Sequence, residues 1–193
     1  ADVDAFRLRH PDLADDALGR ARVRDTRWRG AARGAVSGVP SLFPGVGTAV
    51  ALGVAIADAA ATIHDQAALA LALCHLEGLD VEAVEERRAD LLLILGLESG
   101  GLRLKDGRLL AGDHEIGRDG VLDDDVLGRL SRGIGEAVVK RIATRRAGVA
   151  VGRLAPLGIG VAVAAGSDYR ALSSAARATR RYLAWRASAV PAS

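Results

Sequence analysis

The chain has 193 residues, half of them hydrophobic but only 3% aromatic, with one cysteine, no methionine and a formal net charge of +2. That length suits one domain with a core of Ala, Val, Leu and Gly, and the apolar content is too high for a disordered chain. The lone Cys74 excludes a disulfide scaffold, and one Cys with four scattered His falls short of a structural zinc site.

The first element in chain order is a helix start at Pro11, with Asp12 as cap and Asp15 and Asp16 complementing the helix dipole. Residues 1–9 before it read as a loose end, as do residues 188–193 at the other terminus. Arg20, Arg22, Arg24, Arg27, Arg29 and Arg33 then surround Ala21, Val23, Trp28 and Ala32 in a basic, partly amphipathic segment. Residues 34–57 carry no charge at all. Such a stretch is long enough to cross a bilayer, but Pro40, Pro44 and its glycines argue against a simple span. We expect a break over Pro40–Gly47 and a new helix from Pro44 or Thr48 to about Leu76, stopped by Gly78.

The next helix is predicted over Val81–Leu95, ended by Ser99-Gly100-Gly101. Alternating residues on either side of Asp106-Gly107 predict a two-stranded hairpin near 102–110, followed by a loop over 111–120. Asp123-Asp124-Asp125 cap a helix expected to reach Arg153, and Pro156 breaks it. An apolar, Gly-rich run over Leu157–Ala165 leads to a last helix over Asp168–Ala187. The fold class is therefore mainly α: a single-domain helical bundle over 1–193 with Gly/Pro-broken apolar helices and one small hairpin.

Two segments echo each other. Leu42-Phe43-Pro44-Gly45-Val46-Gly47 and Leu154-Ala155-Pro156-Leu157-Gly158-Ile159-Gly160 both place two spaced glycines after Leu-x-Pro, and both follow Arg-rich sequence. Glycine permits close helix contact and proline fixes the turn. Pro44, Gly45, Gly47, Gly53, Pro156, Gly158 and Gly160 are thus candidates for helix packing, the two halves meeting about a pseudo-two-fold axis.

The small net charge conceals an uneven distribution. Residues 77–125 carry fourteen acids against six bases, and residues 129–186 carry twelve bases against two acids. A basic face of this kind meets phosphates, or the acidic middle of the same chain. Trp28 lies among Arg27, Arg29 and Arg33, and Tyr182 and Trp185 lie among Arg177, Arg180, Arg181 and Arg186. Rings beside guanidinium groups suit a membrane headgroup layer. Trp28, Arg29, Arg33, Arg177, Arg181, Tyr182 and Trp185 are therefore the membrane-facing candidates. The other reading has the aromatics closing a small core.

Asp58 interrupts an apolar helix, and helical spacing groups it with Thr62 and Asp65. A buried carboxylate needs a partner, and an Arg from 20–33 or 145–153 could supply one. Asp58, Thr62, Asp65, Asp168 and Tyr169 are the candidates for a ligand or headgroup. His64 and His75 are too far apart to share a metal, about 16 Å along a helix. The paired glycines lack the Lys-Ser/Thr ending of a phosphate loop, and no Gly-x-Ser-x-Gly marks a nucleophile. No catalytic residue, cofactor or metal is assigned, and too few aromatics are present for nucleic-acid stacking. The opening Ala1-Asp2-Val3-Asp4 has no signal-peptide pattern, so with one unpaired Cys the expected compartment is the cytoplasm.

Taken together, His10-Pro11-Asp12-Leu13, the Arg-rich helix, Leu42-Phe43-Pro44-Gly45-Val46-Gly47-Thr48, the long Ala/Leu helix to His75-Leu76-Glu77-Gly78-Leu79-Asp80, Gly152-Arg153-Leu154-Ala155-Pro156-Leu157-Gly158-Ile159-Gly160 and the closing helix through Arg181-Tyr182-Leu183 resemble the EcsC family of bacterial proteins. The resemblance spans most of residues 10–183. One departure is Asp168, where many relatives carry Asn. The resemblance implies association with the cytoplasmic membrane, and it brings no catalytic residues. The arginines and aromatics make an anionic membrane surface or bound lipid the expected partner, with the protein peripheral to the inner face of the cell membrane. The leading expectation is a non-catalytic, lipid-binding helical protein. The alternatives are a scaffold or regulatory subunit with a membrane-protein partner, for example an ABC transporter, and an enzyme on a hydrophobic substrate. The oligomeric state is left open.

Overall fold

A computed structural model describes residues 3–38, 48–117, 125–136, 139–140 and 159–188. It is mainly helical with a small antiparallel sheet: α1 (Val3–Arg9), α2 (Asp15–Gly38), α3 (Thr48–Leu76), α4 (Val84–Ser99), β1 (Arg103–Lys105), β2 (Arg108–Ala111), β3 (His114–Ile116), α5 (helical over 125–136) and α6 (Ile159–Ala187). The echoed residues Pro44, Gly45, Gly47, Pro156 and Gly158 lie outside the described residues, as does the far end of the helix expected to reach Arg153. Gly160 falls within α6.

Local chemistry explains most element boundaries. The α2 helix begins at Asp15 rather than Pro11, because His10–Leu13 closes a turn of its own, Leu13 N donating to the His10 carbonyl at 3.2 Å. Residues 3–9 are a helix rather than a loose end: Phe6 is buried, with the Arg9 and Arg22 guanidinium groups 5.4 and 5.1 Å from its ring centre. The α3 helix ends as expected at Gly78, which takes φ 79°. There Gly78 N donates to the His75 carbonyl and Leu79 N to the Cys74 carbonyl, both at 3.0 Å, in a Schellman cap. The start of α4 is delayed from Val81 to Val84, because Asp80 Oδ1 first accepts from Glu82 N and Ala83 N. It runs past Leu95 to a left-handed cap at Gly100.

The hairpin turns at Asp106-Gly107, both with positive φ, and pairs Leu104 with Leu109. A third strand then forms where a loop was expected. Gly112 takes φ 64° at the first turn position and Ala111 pairs with His114, a type II′ arrangement. The sheet order is β1-β2-β3.

The α6 helix packs against α2, α3 and α4, and α2 also packs against α3. Two apolar clusters result. The larger joins Leu93 and Ile94 of α4, Leu102, the sheet residues Leu109, Ala111 and Ile116, Val126 and Leu130 of α5, and Tyr182 and Trp185 of α6. The smaller joins Val23, Leu69, Leu73, Leu172 and Ala176 from α2, α3 and α6. Close approach occurs at two glycines outside the expected set. A Cβ at Gly30 would collide with Leu172 Cδ1, and one at Gly96 would lie 2.6 Å from Leu130 Cδ2 and 2.9 Å from Leu102 Cδ1. At Gly53, which is exposed, it would meet nothing within 4 Å among the described residues.

Candidate functional site

Three polar centres stand out, and all three use α6. The first lies where α2, α3 and α6 meet. Asp58, Thr62 and Asp65 share one side of α3, as their spacing predicts, and Arg33 of α2 is the arginine that reaches them. Its guanidinium donates to Asp65 Oδ2 and, at 3.4 Å, to Thr62 Oγ1, while its Nε lies 4.0 Å from Asp58 Oδ1. Thr62 Oγ1 sits within reach of two acceptors, the Asp58 carbonyl at 2.8 Å and Asp168 Oδ1 at 3.2 Å, so its one proton bonds either within α3 or across to α6. Thr62 and Asp168 are fully buried and Asp58 nearly so. Just beyond them Gln66 Nε2 donates to Glu98 Oε1 at 3.2 Å and to the Ala171 carbonyl at 3.4 Å, tying α3 to α4 and α6. Burying charge is costly unless it is paired and hydrogen-bonded. Four of the five residues expected to meet a ligand are therefore brought together, but as a closed cross-link between helices.

The second centre corrects the membrane-facing reading of Tyr182 and Trp185, which are 1% and 5% exposed and belong to the larger apolar cluster. The Tyr182 hydroxyl and the Arg186 guanidinium both donate to Asp90 Oδ1 of α4, and Arg186 Nη1 also donates to the Tyr182 hydroxyl at 2.9 Å. Burial, reinforced by the bond to Asp90, pushes the Tyr182 hydroxyl well above the usual phenol range. Cys74 lies in the same cluster, and burial, with the Asp90 carboxylate adding to it, pushes its thiol up to about 12. A thiol held protonated is a poor nucleophile.

The third centre is open. A groove of about 370 Å³ runs between α2 and α6, lined by Arg20, Arg24, Arg27 and Trp28 from one side and by Tyr169, Arg177 and Arg180 from the other. No carboxylate or imidazole of the described residues lines it. Arg20 is paired with Asp16 on its own helix. Arg24, Arg177 and Arg180 have no ion pair among the described residues. Arg27 has its guanidinium carbon 5.4 Å from the centre of the Tyr169 ring, and its buried Nε meets no acceptor among the described residues. Trp28, 66% exposed, packs edge-on to Tyr169 with ring centres 6.1 Å apart.

Tyr169 thus leaves the company of Asp58 and joins Trp28 and Arg177, which do share this face. Arg29 is exposed and paired with Asp25. Arg181 is exposed but does not line the groove, and Arg33 is committed to the closed cluster. Arg24, Arg27 and Arg180 are groove residues that were not among the candidates. A signal for the first two exists in the sequence: Arg20, Arg24 and Arg27 recur at four and three residues, and so fall on one helix face. A neighbouring hollow lined by Asp16, Glu77, Arg180 and Arg186 contains both signs of charge, which sets the groove apart as purely basic. Among the described residues no cluster of His, Cys, Asp and Glu could hold a metal ion, and no helix is long and apolar enough to cross a membrane.

Comparison of the chain with protein-family models, with curated proteins and with solved structures finds no match.

Proposed function

We propose that this is a non-catalytic, EcsC-type protein that binds anionic lipid at the inner face of the cell membrane, peripherally and without spanning it. The observation that carries the reading is the open face of α2 and α6, where exposed Trp28 and partly exposed Tyr169 sit among Arg24, Arg27, Arg177 and Arg180, none of them ion-paired among the described residues. Each basic side chain near an anionic leaflet contributes about 1 kcal/mol. Arg24, Arg27, Arg177 and Arg180 together then supply about 4 kcal/mol, which corresponds to roughly millimolar binding. Trp28 adds the apolar contact that raises this to stable adsorption. The commitment of Asp58, Asp65 and Asp168 to cross-linking helices supports a non-catalytic role for them.

Co-sedimentation with phosphatidylcholine vesicles, with and without phosphatidylglycerol, tests the reading. The protein is expected to follow the anionic vesicles alone, to be released by salt as surface charges are screened, and to bind more weakly as Trp28→Ala. Absence from both vesicle pellets, with no lipid extracted from the purified protein, would overturn it.

A further inference from the structure

The groove is more specific than a basic surface needs to be. Its arginines stand on two facing helices, Arg24 and Arg27 on α2 and Arg177 and Arg180 on α6, so guanidinium groups approach one volume from opposite walls. At one part of that volume Trp28 and Tyr169 meet edge-on. An evenly charged membrane needs no such convergence. A single compact anion does, because a guanidinium fork gives two parallel hydrogen bonds to phosphate oxygens.

We propose that this groove is a saturable binding site for a terminal phosphate monoester, the phosphate lying between the arginines of α2 and α6 and the adjoining carbon skeleton lying on Trp28 and Tyr169. A phosphodiester brings one charge and two unesterified oxygens to the site. A monoester brings three such oxygens and nearly two charges once its second proton, with a pKa of about 6, is lost, which matches several unneutralised guanidinium groups better. The proposal rests on the membrane reading and deepens it by naming the lipid class, phosphatidic acid or another lipid with a terminal phosphate. The same chemistry would also accept a soluble phosphate, so the two sources are tested separately.

Phosphatidylcholine vesicles doped with phosphatidic acid are compared with vesicles doped with phosphatidylglycerol to equal surface charge. Inorganic phosphate is titrated into the protein alone by calorimetry. Arg24→Gln and Arg177→Gln are compared with Arg103→Gln, an exposed arginine of β1 outside the groove; all three sites are solvent-facing, and a thermal melt checks that each variant is folded. The expected result is tighter, saturable binding to phosphatidic acid, weakened about tenfold by either groove variant, unchanged by Arg103→Gln, and weakening as pH falls through about 6. The pH effect comes from the second proton of the ligand; the charged and aromatic side chains that face it in the groove are those of Arg20, Arg24, Arg27, Arg177, Arg180, Trp28 and Tyr169, with no carboxylate or imidazole among the described lining residues.

Equal binding to both vesicle types, with Arg24→Gln and Arg103→Gln losing equally, would overturn the groove and leave the membrane reading standing. One-to-one binding of inorganic phosphate that is lost in Arg24→Gln, with no binding to any vesicle, would support the groove and overturn the membrane reading. Displacement of phosphatidic acid by short duplex DNA at comparable concentration would overturn the proposal in favour of a nucleic-acid surface.

Discussion

Arginines on one helix meet two different fates in this molecule. Arg33 of α2 turns into the bundle, where it is bound to Asp65 and Thr62 and lies close to Asp58. Arg24 and Arg27, within three turns of it along the helix, face an open groove with no acid among its described lining residues. The difference is one of solvent. A charge taken from water needs a partner of opposite sign, so buried Asp58 and partly buried Asp65 of α3 capture the arginine that can reach them. Water stabilises exposed Arg24, Arg177 and Arg180 without ion pairs among the described residues, so their charge is available to a ligand. Burial therefore separates an arginine that holds the fold from arginines that can recognise something.

Substitution at the two sites gives the largest expected contrast. Arg33→Ala removes the guanidinium from beside Asp58 and Asp65 and should cost about 2–4 kcal/mol, toward the lower end because the arginine is one-third exposed. At roughly 2–4 °C per kcal/mol, the Tm should fall by roughly 5–15 °C in a calorimetric scan. Arg24→Ala should shift stability by less than about 0.5 kcal/mol. Equal shifts would abolish the distinction.

Gly30 connects the two sites, lying between Arg27 and Arg33 where α2 meets Leu172 of α6. Gly30→Ala forces Leu172, itself fully buried, to move. Overpacking of about 1–3 kcal/mol, offset by about 1 kcal/mol of helix propensity, should leave a net loss of about 0–2 kcal/mol in urea unfolding. The same change should weaken anion binding in the groove without removing a single charge.

The smallest effect concerns pH, and it contrasts the buried side of α6 with its open side. Cys74 titrates near 9 when exposed and near 12 in the fold, and Tyr182 is shifted in the same direction. Above about pH 9 the unfolded chain loses protons that the folded chain keeps, so stability declines as pH rises through that range. Urea midpoints should fall between about pH 8 and about pH 10, and Cys74→Ala should flatten the decline. A thiol reagent at about pH 8 should react only after unfolding; rapid labelling of the native protein would show that Cys74 is accessible after all.

Much of the fold is legible in the sequence because it depends on near neighbours. The span of α3, its stop at Gly78 and the Asp106-Gly107 turn all follow from local backbone preference. The third strand has a local signal too, Gly112-Asp113, within a stretch that otherwise reads as loop. The start of α4 depends on the Asp80 carboxylate holding the two residues before the helix. In the site, helical spacing groups Asp58, Thr62 and Asp65 correctly. It cannot join Asp168 to them across 106 residues, nor select Arg33 from so many arginines. Tyr182 and Trp185 are misplaced by sequence reasoning for a related reason. Their neighbours Arg180, Arg181 and Arg186 suggest a basic, solvent-facing segment. A helix turns about 100° per residue, however, so Arg180 and Arg181 are exposed while Tyr182 beside them is buried.

Which segments become helix and hairpin, and which polar residues share a helix face, follow from propensities and periods that act over a few residues, and these are written in the chain itself. Three outcomes are not: which arginine closes the Asp58–Thr62–Asp65–Asp168 cluster, which aromatics enter the core, and that α2 and α6 hold a basic groove between them. They depend on which helix faces meet once the bundle is assembled. The meeting of faces settles which charges lose water and must be paired, and which keep it and remain available.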